Sequence, residues 1–178
     1  MILSDKDLLA AIQDGSIQIK PFKRSSSLGC NSYDLHLGGS LKVYTEKVLD
    51  ARKDNPTKTL EIPKEGLVLM PNIVYLGYTI ESAGSNKYVP ILEGKSSIGR
   101  LGIMVHLTAG VGDVGFQGHW TLEIVVTQPI RIYAGMPIAQ ILFHTCGEVE
   151  VPYNFKASAK YNNQPAEPIA SKNYENFF

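Results

Sequence analysis

The sequence is poor in cysteine and contains no long hydrophobic run. Its two cysteines, Cys30 and Cys146, are too few and too far apart to suggest a disulfide scaffold. No apolar stretch approaches the roughly 20 residues of a membrane-spanning helix. The first residues, MILSDKDLL, also lack the pattern of a secretory signal. These absences lead us to expect a cytoplasmic protein without a membrane partner.

An excess of charge of one sign is missing too, since 17 Lys and Arg balance 17 Asp and Glu. A balanced surface argues against broad nucleic-acid binding. With 178 residues, 44% of them hydrophobic, the chain is long enough for one domain with a substantial core. We therefore expect a single domain over 1–178. Its last part, 157–178, loses apolar alternation and carries Asn, Pro and Ser, which predicts an irregular tail.

The characteristic motifs of several enzyme classes are absent from the sequence. Zinc-dependent nucleobase deaminases carry H-x-E together with P-C-x-x-C, whereas this chain has no C-x-x-C and its four histidines are scattered. A G-x-x-x-x-G-K-[ST] phosphate loop and a nucleophile elbow are absent. We therefore expect no zinc, no phosphate loop and no dinucleotide-binding unit.

Helix signals are concentrated at the start of the chain. Ser4 and Asp7 form a capping pattern, Leu8 and Ile12 continue an apolar stripe, and Gly15 suits the end of a helix of about three turns. The following segments are short, rich in Val, Ile, Tyr and Thr, and separated by turn residues. The predicted strands are SYDLHLG, LKVYT, GLVLMP, IVYLGYTI, KYVPILEG, GIMVHLT, HWTLEIVV, IRIYAG and IAQILFHT. This pattern predicts a mainly β fold, either a sandwich, a jelly roll or a partly closed barrel.

One candidate site is the glycine-flanked stretch EGKSSIGRLG, 93–102. Lys95, Ser96 and Ser97 offer a cation, two hydroxyls and backbone N–H groups to an anion. Arg100 adds a guanidinium fork that can bind a carboxylate or carbonyl oxygen. The alternative is an ordinary turn whose Lys95 and Arg100 are simply solvated.

A second candidate is TAGVGDVGFQGH, 108–119, where four glycines surround Asp113 and Phe116. Such a turn allows a ligand close to the backbone, with a carboxylate for a hydroxyl and a ring for stacking. The alternative is a hairpin in which Asp113 bonds its own turn. In the tail, Tyr153, Lys160, Tyr161 and Gln164 could close over a substrate.

The strand TLEIVV places a single carboxylate among apolar residues. Side chains alternate along a strand, so Glu123 points away from the face that carries Leu122 and Ile124. An ionised carboxylate beside apolar neighbours needs a partner or a raised pKa. Glu123 therefore lies either at a solvated edge or against something polar.

Taken in order, these motifs resemble one known family. GKSSIGRLG, AGVGDVGFQG, TLEI, AGMPIAQILF and AKYNNQ, together with MILSDKDL and NSYDLHLG, resemble the dCTP deaminase family of the trimeric dUTPase superfamily. The resemblance covers nearly the whole chain. It implies a distorted jelly-roll β barrel of the dUTPase type, assembled as a homotrimer with active sites between subunits.

The resemblance also implies roles for individual residues. Glu123 matches the glutamate that activates water for attack on C4 of cytosine and passes the proton to the departing ammonia. Arg100 and Ser96 match residues around the base and the attacking water, and the backbone near Ala109 reads the base edge. Asp113 faces the sugar 3′-hydroxyl. The remaining matches are Phe116 against the deoxyribose, and Lys95, Ser96, Ser97, Tyr153, Lys160 and Gln164 around the triphosphate.

The implied chemistry needs no cofactor for deamination, although Mg²⁺ is expected with the triphosphate. In the family dTTP is a feedback inhibitor acting through the MVHLTA region, which here contains His106 and Thr108. The residue type and setting of His106 predict a satisfied core or interface histidine.

The sequence leaves the product open between dUTP and dUMP with pyrophosphate. The Ala109–Gly110 opening resembles members that also cleave the triphosphate, while members that only deaminate tend to carry a basic residue just before the I-D-P-G turn. Gly112 and Val114 depart from both groups, and Gly112 is expected to loosen the turn that holds Asp113. A non-catalytic dNTP sensor remains as an alternative of another class.

Overall fold

The computed structural model describes residues 1–177. Its helices are α1 Asp5–Gln13, α2 Arg24–Ser27 and α3 Ser96–Gly99, with 3₁₀ turns at Tyr153–Phe155 and Asn173–Phe177. Its strands are β1 Ile17–Lys20, β2 Tyr33–His36, β3 Ser40–Tyr44, β4 Thr57–Glu61, β5 Leu67–Leu69, β6 Tyr75–Ser85, β7 Val89–Gly94, β8 Ile103–Met104, β9 Gln117–Val126, β10 Ile130–Ile132 and β11 Pro137–His144. All nine predicted strand segments contain a strand.

The N-terminal helix forms as predicted. The Ser4 hydroxyl accepts a hydrogen bond from the Asp7 N–H, and the Asp7 carboxylate accepts one from the Ser4 N–H, which makes a capping box. Leu8 and Ala11 are buried on one face. Gly15 follows with φ +80°, a conformation that favours glycine after a helix.

The strands form three sheets around one hydrophobic core. The largest runs β4-β3-β6-β9-β8, with β1 also paired to β6, and the others are β2-β11-β7 and β10-β5. Every strand pair is antiparallel. Short bridges at Leu37–Thr79 and Ile91–Val111 tie strand ends and loops together. The mainly β barrel class is confirmed.

The central pair, β6 and β9, determines where Glu123 lies. Burial alternates strictly along β9, with Leu122 and Ile124 fully buried and Glu123 half-buried on the other face. Leu76 of β6 is its direct cross-strand neighbour. The register shifts between Tyr78 and Ser82, so residues 79–81 of β6 bulge opposite Trp120.

The predicted irregular tail carries little regular structure over 157–177, and residue 178 lies outside the described residues. Within residues 1–177, no helix is long and apolar enough to cross a bilayer.

Candidate active site

A cavity of about 510 Å³ opens beside β9. Its walls are β9 itself, the turn 109–116 and the tail segment 161–171. Six predicted site residues line it: Ala109, Asp113, Phe116, Glu123, Tyr153 and Gln164. Three separate stretches of sequence therefore meet at one cavity of a size that accommodates a small-molecule ligand.

Glu123 is the carboxylate expected to act as a base, and its setting suits that role. Burial raises the pKa of its carboxyl above the usual range, while the Leu107 amide and the His106 imidazole act in the opposite direction. A carboxylate with a raised pKa takes up a proton more readily near neutral pH. Among residues 1–177, Asp113 is the only other charged residue that lines the cavity, and it is exposed.

The turn 109–116 is fixed by backbone hydrogen bonds to neighbouring segments. The Leu92 N–H donates to Gly110 O over 2.7 Å, and the Gly112 N–H donates to Pro90 O over 2.8 Å. Farther along, the Gly115 N–H donates to Ser85 O over 2.7 Å. The expectation that Gly112 loosens this turn is therefore wrong.

The glycine at 112 has a steric reason instead. A Cβ there would lie 2.4 Å from Cη2 of Trp120 and 2.9 Å from Cγ of Pro90. The spacing of Gly110, Gly112 and Gly115 does fit G-x-G-x-x-G, but strand β9 follows it rather than a helix. The context that a dinucleotide site requires is missing, since that motif must open a helix.

Phe116 lies in an aromatic cluster at the cavity wall. Its ring centroid is 5.0 Å from that of Trp120 in an edge-to-face arrangement and 6.1 Å from that of Tyr153. Trp120 and Tyr44 also line the cavity but were not among the predicted site residues, whereas Tyr161, one of the tail residues expected to close over a substrate, lines it too. Trp120 lies three residues before Glu123 in the same strand, on the opposite face, so its spacing gave no signal of a shared site.

The tail runs along the edge of β9 that β6 leaves free. The Asn163 N–H donates to Gln117 O over 2.7 Å, and the His119 N–H donates to Gln164 O over 3.1 Å. The Thr121 hydroxyl donates to Oε1 of Gln164 over 2.8 Å and accepts from the Ile169 N–H over 3.1 Å. These contacts place Gln164 over the cavity.

The predicted cradle on α3 lies outside this cavity. Ser96, Ser97 and Arg100 are exposed, and Lys95 forms an ion pair with Asp34 of β2. Lys95 and Ser96 instead line a second cavity of about 360 Å³, which also contains His106. Within residues 1–177, the guanidinium of Arg100 makes no hydrogen bond or ion pair.

Two further residues differ from their predicted settings. Lys160 is outside the first cavity, and its ammonium group bonds the side chain of Asn176. His106 was expected to be satisfied, but its buried Nδ1 has no hydrogen-bond partner among residues 1–177. Its Nε2 lies 3.6 Å from a carboxylate oxygen of Glu93.

Metal ligands do not cluster in the described part of the chain. Residues 1–177 contain no group of three or more His, Cys, Asp or Glu side chains placed to hold an ion.

Comparison with known proteins agrees with this geometry. A family model described as dCTP deaminase-like matches residues 2–146. The chain belongs to the dCTP deaminase-like family. A relative named "dCTP deaminase, dUMP-forming" from Clostridium acetobutylicum is 50% identical over 169 residues, 94% of this chain and 95% of the relative. Another of that name, from Leptospira biflexa, is 50% identical over 167 residues, 93% of this chain and 95% of the relative.

A solved structure gives the fold of this dCTP deaminase-like chain an experimental counterpart. The crystal structure of 2′-deoxycytidine 5′-triphosphate deaminase from Agrobacterium tumefaciens matches with a TM-score of 0.64 at 22% identity. The match covers 82% of this chain and 48% of that chain, so this chain spans about half of its length. At this identity the similarity bears on fold alone.

Proposed function

We propose that this protein hydrolyses dCTP to a deoxyuridine nucleotide and ammonia without zinc. The observation that carries the proposal is Glu123, a half-buried carboxylate with a raised pKa on the wall of a cavity large enough for a nucleotide. Relatives about 50% identical are named dCTP deaminases, which supports the same substrate. A soluble enzyme of nucleotide metabolism is the corresponding cellular role.

In the proposed reaction, Glu123 acts as general base and then as general acid. Its carboxylate takes a proton from a water molecule as the water oxygen bonds to C4 of cytosine. The same proton passes to the 4-amino group, the C4–N bond breaks, and ammonia leaves. The hydroxyl proton that remains on the C4 oxygen moves to N3, which gives the uracil ring. One dCTP and one water give one dUTP and one ammonia, so atoms balance without a metal.

The proposed site is completed by a neighbouring subunit of a homotrimer. Ser96 and Arg100 are exposed and lie outside the cavity that contains Glu123, yet developing charge on the ring needs a donor beside it. An exposed arginine on one copy can supply that donor to the cavity of another. This arrangement assigns Arg100 and Ser96 to the base and the attacking water, with the Ala109 backbone at the base edge.

For the rest of the nucleotide, we assign Asp113 to the 3′-hydroxyl and Phe116 to the deoxyribose. The triphosphate is assigned to Lys95, Ser96, Ser97, Tyr153, Lys160 and Gln164. Lys95 must exchange its ion pair with Asp34 for phosphate oxygens. Mg²⁺ accompanies the triphosphate and offsets its charge, and dTTP remains the proposed feedback inhibitor.

We further propose that the final products are dUMP and pyrophosphate. The relatives at about 50% identity carry the name dUMP-forming. The Ala109–Gly110 opening of the turn supports this assignment, because it resembles members that also cleave the triphosphate. A second water would cleave the bond between the α- and β-phosphates of the dUTP formed in the first step.

The test is to incubate the protein with dCTP and Mg²⁺, separate the nucleotides by ion-exchange chromatography, and measure ammonia and pyrophosphate. Equal amounts of ammonia, pyrophosphate and dUMP support the full proposal. Ammonia with accumulating dUTP supports deamination and rejects the second step. If dCTP binds but is not converted, the proposed enzymatic activity is rejected and the dNTP-sensor alternative is favoured.

A further inference from the structure

Trp120 is a large aromatic residue at the cavity, and it has no role in the proposed reaction. It is 9% exposed and is the only tryptophan in the chain. Its side chain faces the same cavity as Phe116, where a dCTP sugar is placed under the proposed function.

Trp120 is held by hydrogen bonds at its backbone and at its indole ring. The Trp120 backbone N–H donates to Oγ1 of Thr79 over 2.9 Å, and its Nε1–H donates to Ala83 O over 3.1 Å. Thr79 is fully buried and itself donates to Glu81 O over 2.7 Å within the bulge of β6. The ring therefore has a fixed position and is not a mobile side chain filling leftover space.

Phe116 is held against this fixed ring. Its centroid is 5.0 Å from the indole at an interplanar angle of 65°, and Tyr153 approaches from another direction at 6.1 Å. The Tyr153 N–H donates to Val114 O over 2.8 Å, which fastens that ring to the same turn. Phe116 thus has little room to move away from the cavity.

The turn is built around the indole as well. Because a Cβ at Gly112 would lie 2.4 Å from Cη2 of Trp120, a side chain at 112 and the indole at 120 exclude one another. The large side chain of Trp120 on β9 thus requires a glycine at position 112 of the turn. Trp120 therefore lies against both the turn at Gly112 and the ring of Phe116.

We propose that Trp120 is a positioning residue that makes the cavity discriminate against a 2′-hydroxyl by holding Phe116 in place. The inference rests on the proposed function, in which Phe116 packs on the deoxyribose. A ribose needs extra room on that face, and the ring can supply it only by moving toward Trp120. Because steric rejection of one added hydroxyl is worth about 10²-fold, a loss of about tenfold in the preference for dCTP over CTP is expected when the support is removed.

The experiment compares kcat/KM for dCTP and CTP in Trp120→Leu and in the wild-type protein. Phe143→Leu is the matched control, since Phe143 is a fully buried aromatic residue of β11 that does not line the cavity. The dCTP/CTP ratio should fall about tenfold in Trp120→Leu and stay unchanged in Phe143→Leu. An equal loss for both substrates in Trp120→Leu overturns the inference.

Two additions keep the test decisive if Trp120→Leu folds poorly. Gly112→Ala keeps the tryptophan in the sequence, but its added Cβ must displace the indole, and the dCTP/CTP ratio should fall as it does in Trp120→Leu. In Glu123→Gln, emission from the single tryptophan should change on titration with dCTP at concentrations where CTP has no effect. An unchanged ratio and unchanged emission would reject the inference. Absence of ammonia from wild-type protein would instead reject the proposed function.

Discussion

The cavity beside β9 and the cradle on α3 differ in how the chain holds them. Glu123 lies in the middle of a ten-residue strand with β6 on one side and β8 and the tail on the other. Its position follows from a backbone ladder. Ser96, Ser97 and Arg100 lie on a four-residue helix and the residue that follows it, and all three are exposed.

This difference shows how the proposed work is divided. The strand supplies a general base whose pKa depends on burial, so that group must be fixed inside one chain. The cradle supplies charge and hydroxyls, which keep their chemistry when exposed and can serve another copy.

The largest effect is expected for Glu123→Gln. The amide keeps the size of the side chain but cannot accept the proton, so ammonia release should fall by about 10²–10⁴-fold. Nucleotide affinity should change little, because the triphosphate and sugar contacts remain. Ammonia assays and equilibrium dialysis with dCTP measure the two quantities. Turnover near the wild-type rate would refute the role of Glu123.

Arg100→Ala tests whether the two regions act across subunits. The variant alone should be inactive, as should Glu123→Gln alone. After the two are unfolded together and refolded as a mixture, about a quarter of the sites in random trimers would combine an intact Glu123 with an intact Arg100. Recovered deamination supports a site between subunits. A mixture as inactive as its components would place both residues in one chain's site.

Much of the fold was predictable, because the alternation of residue types along the strands corresponds to their alternating burial. β9 is the clearest case, since its odd and even positions separate into two faces. β1 was missed because it has only four residues, directly after a helix. β4 was missed because Thr, Lys and Glu leave it largely exposed without an apolar face.

The site was predictable only in part. Glu123, Asp113 and Phe116 belong to motifs with recognisable spacing, and the structure brings them to one cavity. Trp120 was invisible as a site residue, because an aromatic residue in a strand is ordinary core material. Its proximity to Gly112 depends on two segments that only the folded chain brings together.

A smaller effect is expected where the tail meets β9. Thr121→Val keeps the side-chain shape but removes the hydrogen bonds to Gln164 and to the Ile169 N–H. If the tail covers bound nucleotide, KM for dCTP should rise about threefold to tenfold with little change in kcat. Thr127→Val is the control, since this exposed hydroxyl makes no hydrogen bond within residues 1–177. Equal KM values in the two variants would show that the hydrogen bonds between Thr121 and the tail do not contribute to dCTP binding.

The smallest effect is on stability, and its sign follows from the raised pKa of Glu123. The folded protein holds this proton more tightly than the unfolded chain, so unfolding releases it between the two pKa values. Wild-type stability therefore falls as pH rises through the folded-state pKa. Glu123→Gln lacks this loss, and its Tm should exceed that of the wild type at pH 8 by no more than about 2–3 °C, because the side chain is partly exposed.

The difference in Tm should shrink as pH is lowered to 4, because below the pKa of the unfolded glutamate both states carry the proton. Glu150→Gln, at an exposed position without an ion pair in residues 1–177, measures the general effect of removing one carboxylate. A difference for Glu123→Gln that stays constant from pH 4 to pH 8 would mean that burial does not set the charge of this residue. The contrast between a base held inside the strand and a cradle left in solvent would then lose its physical basis.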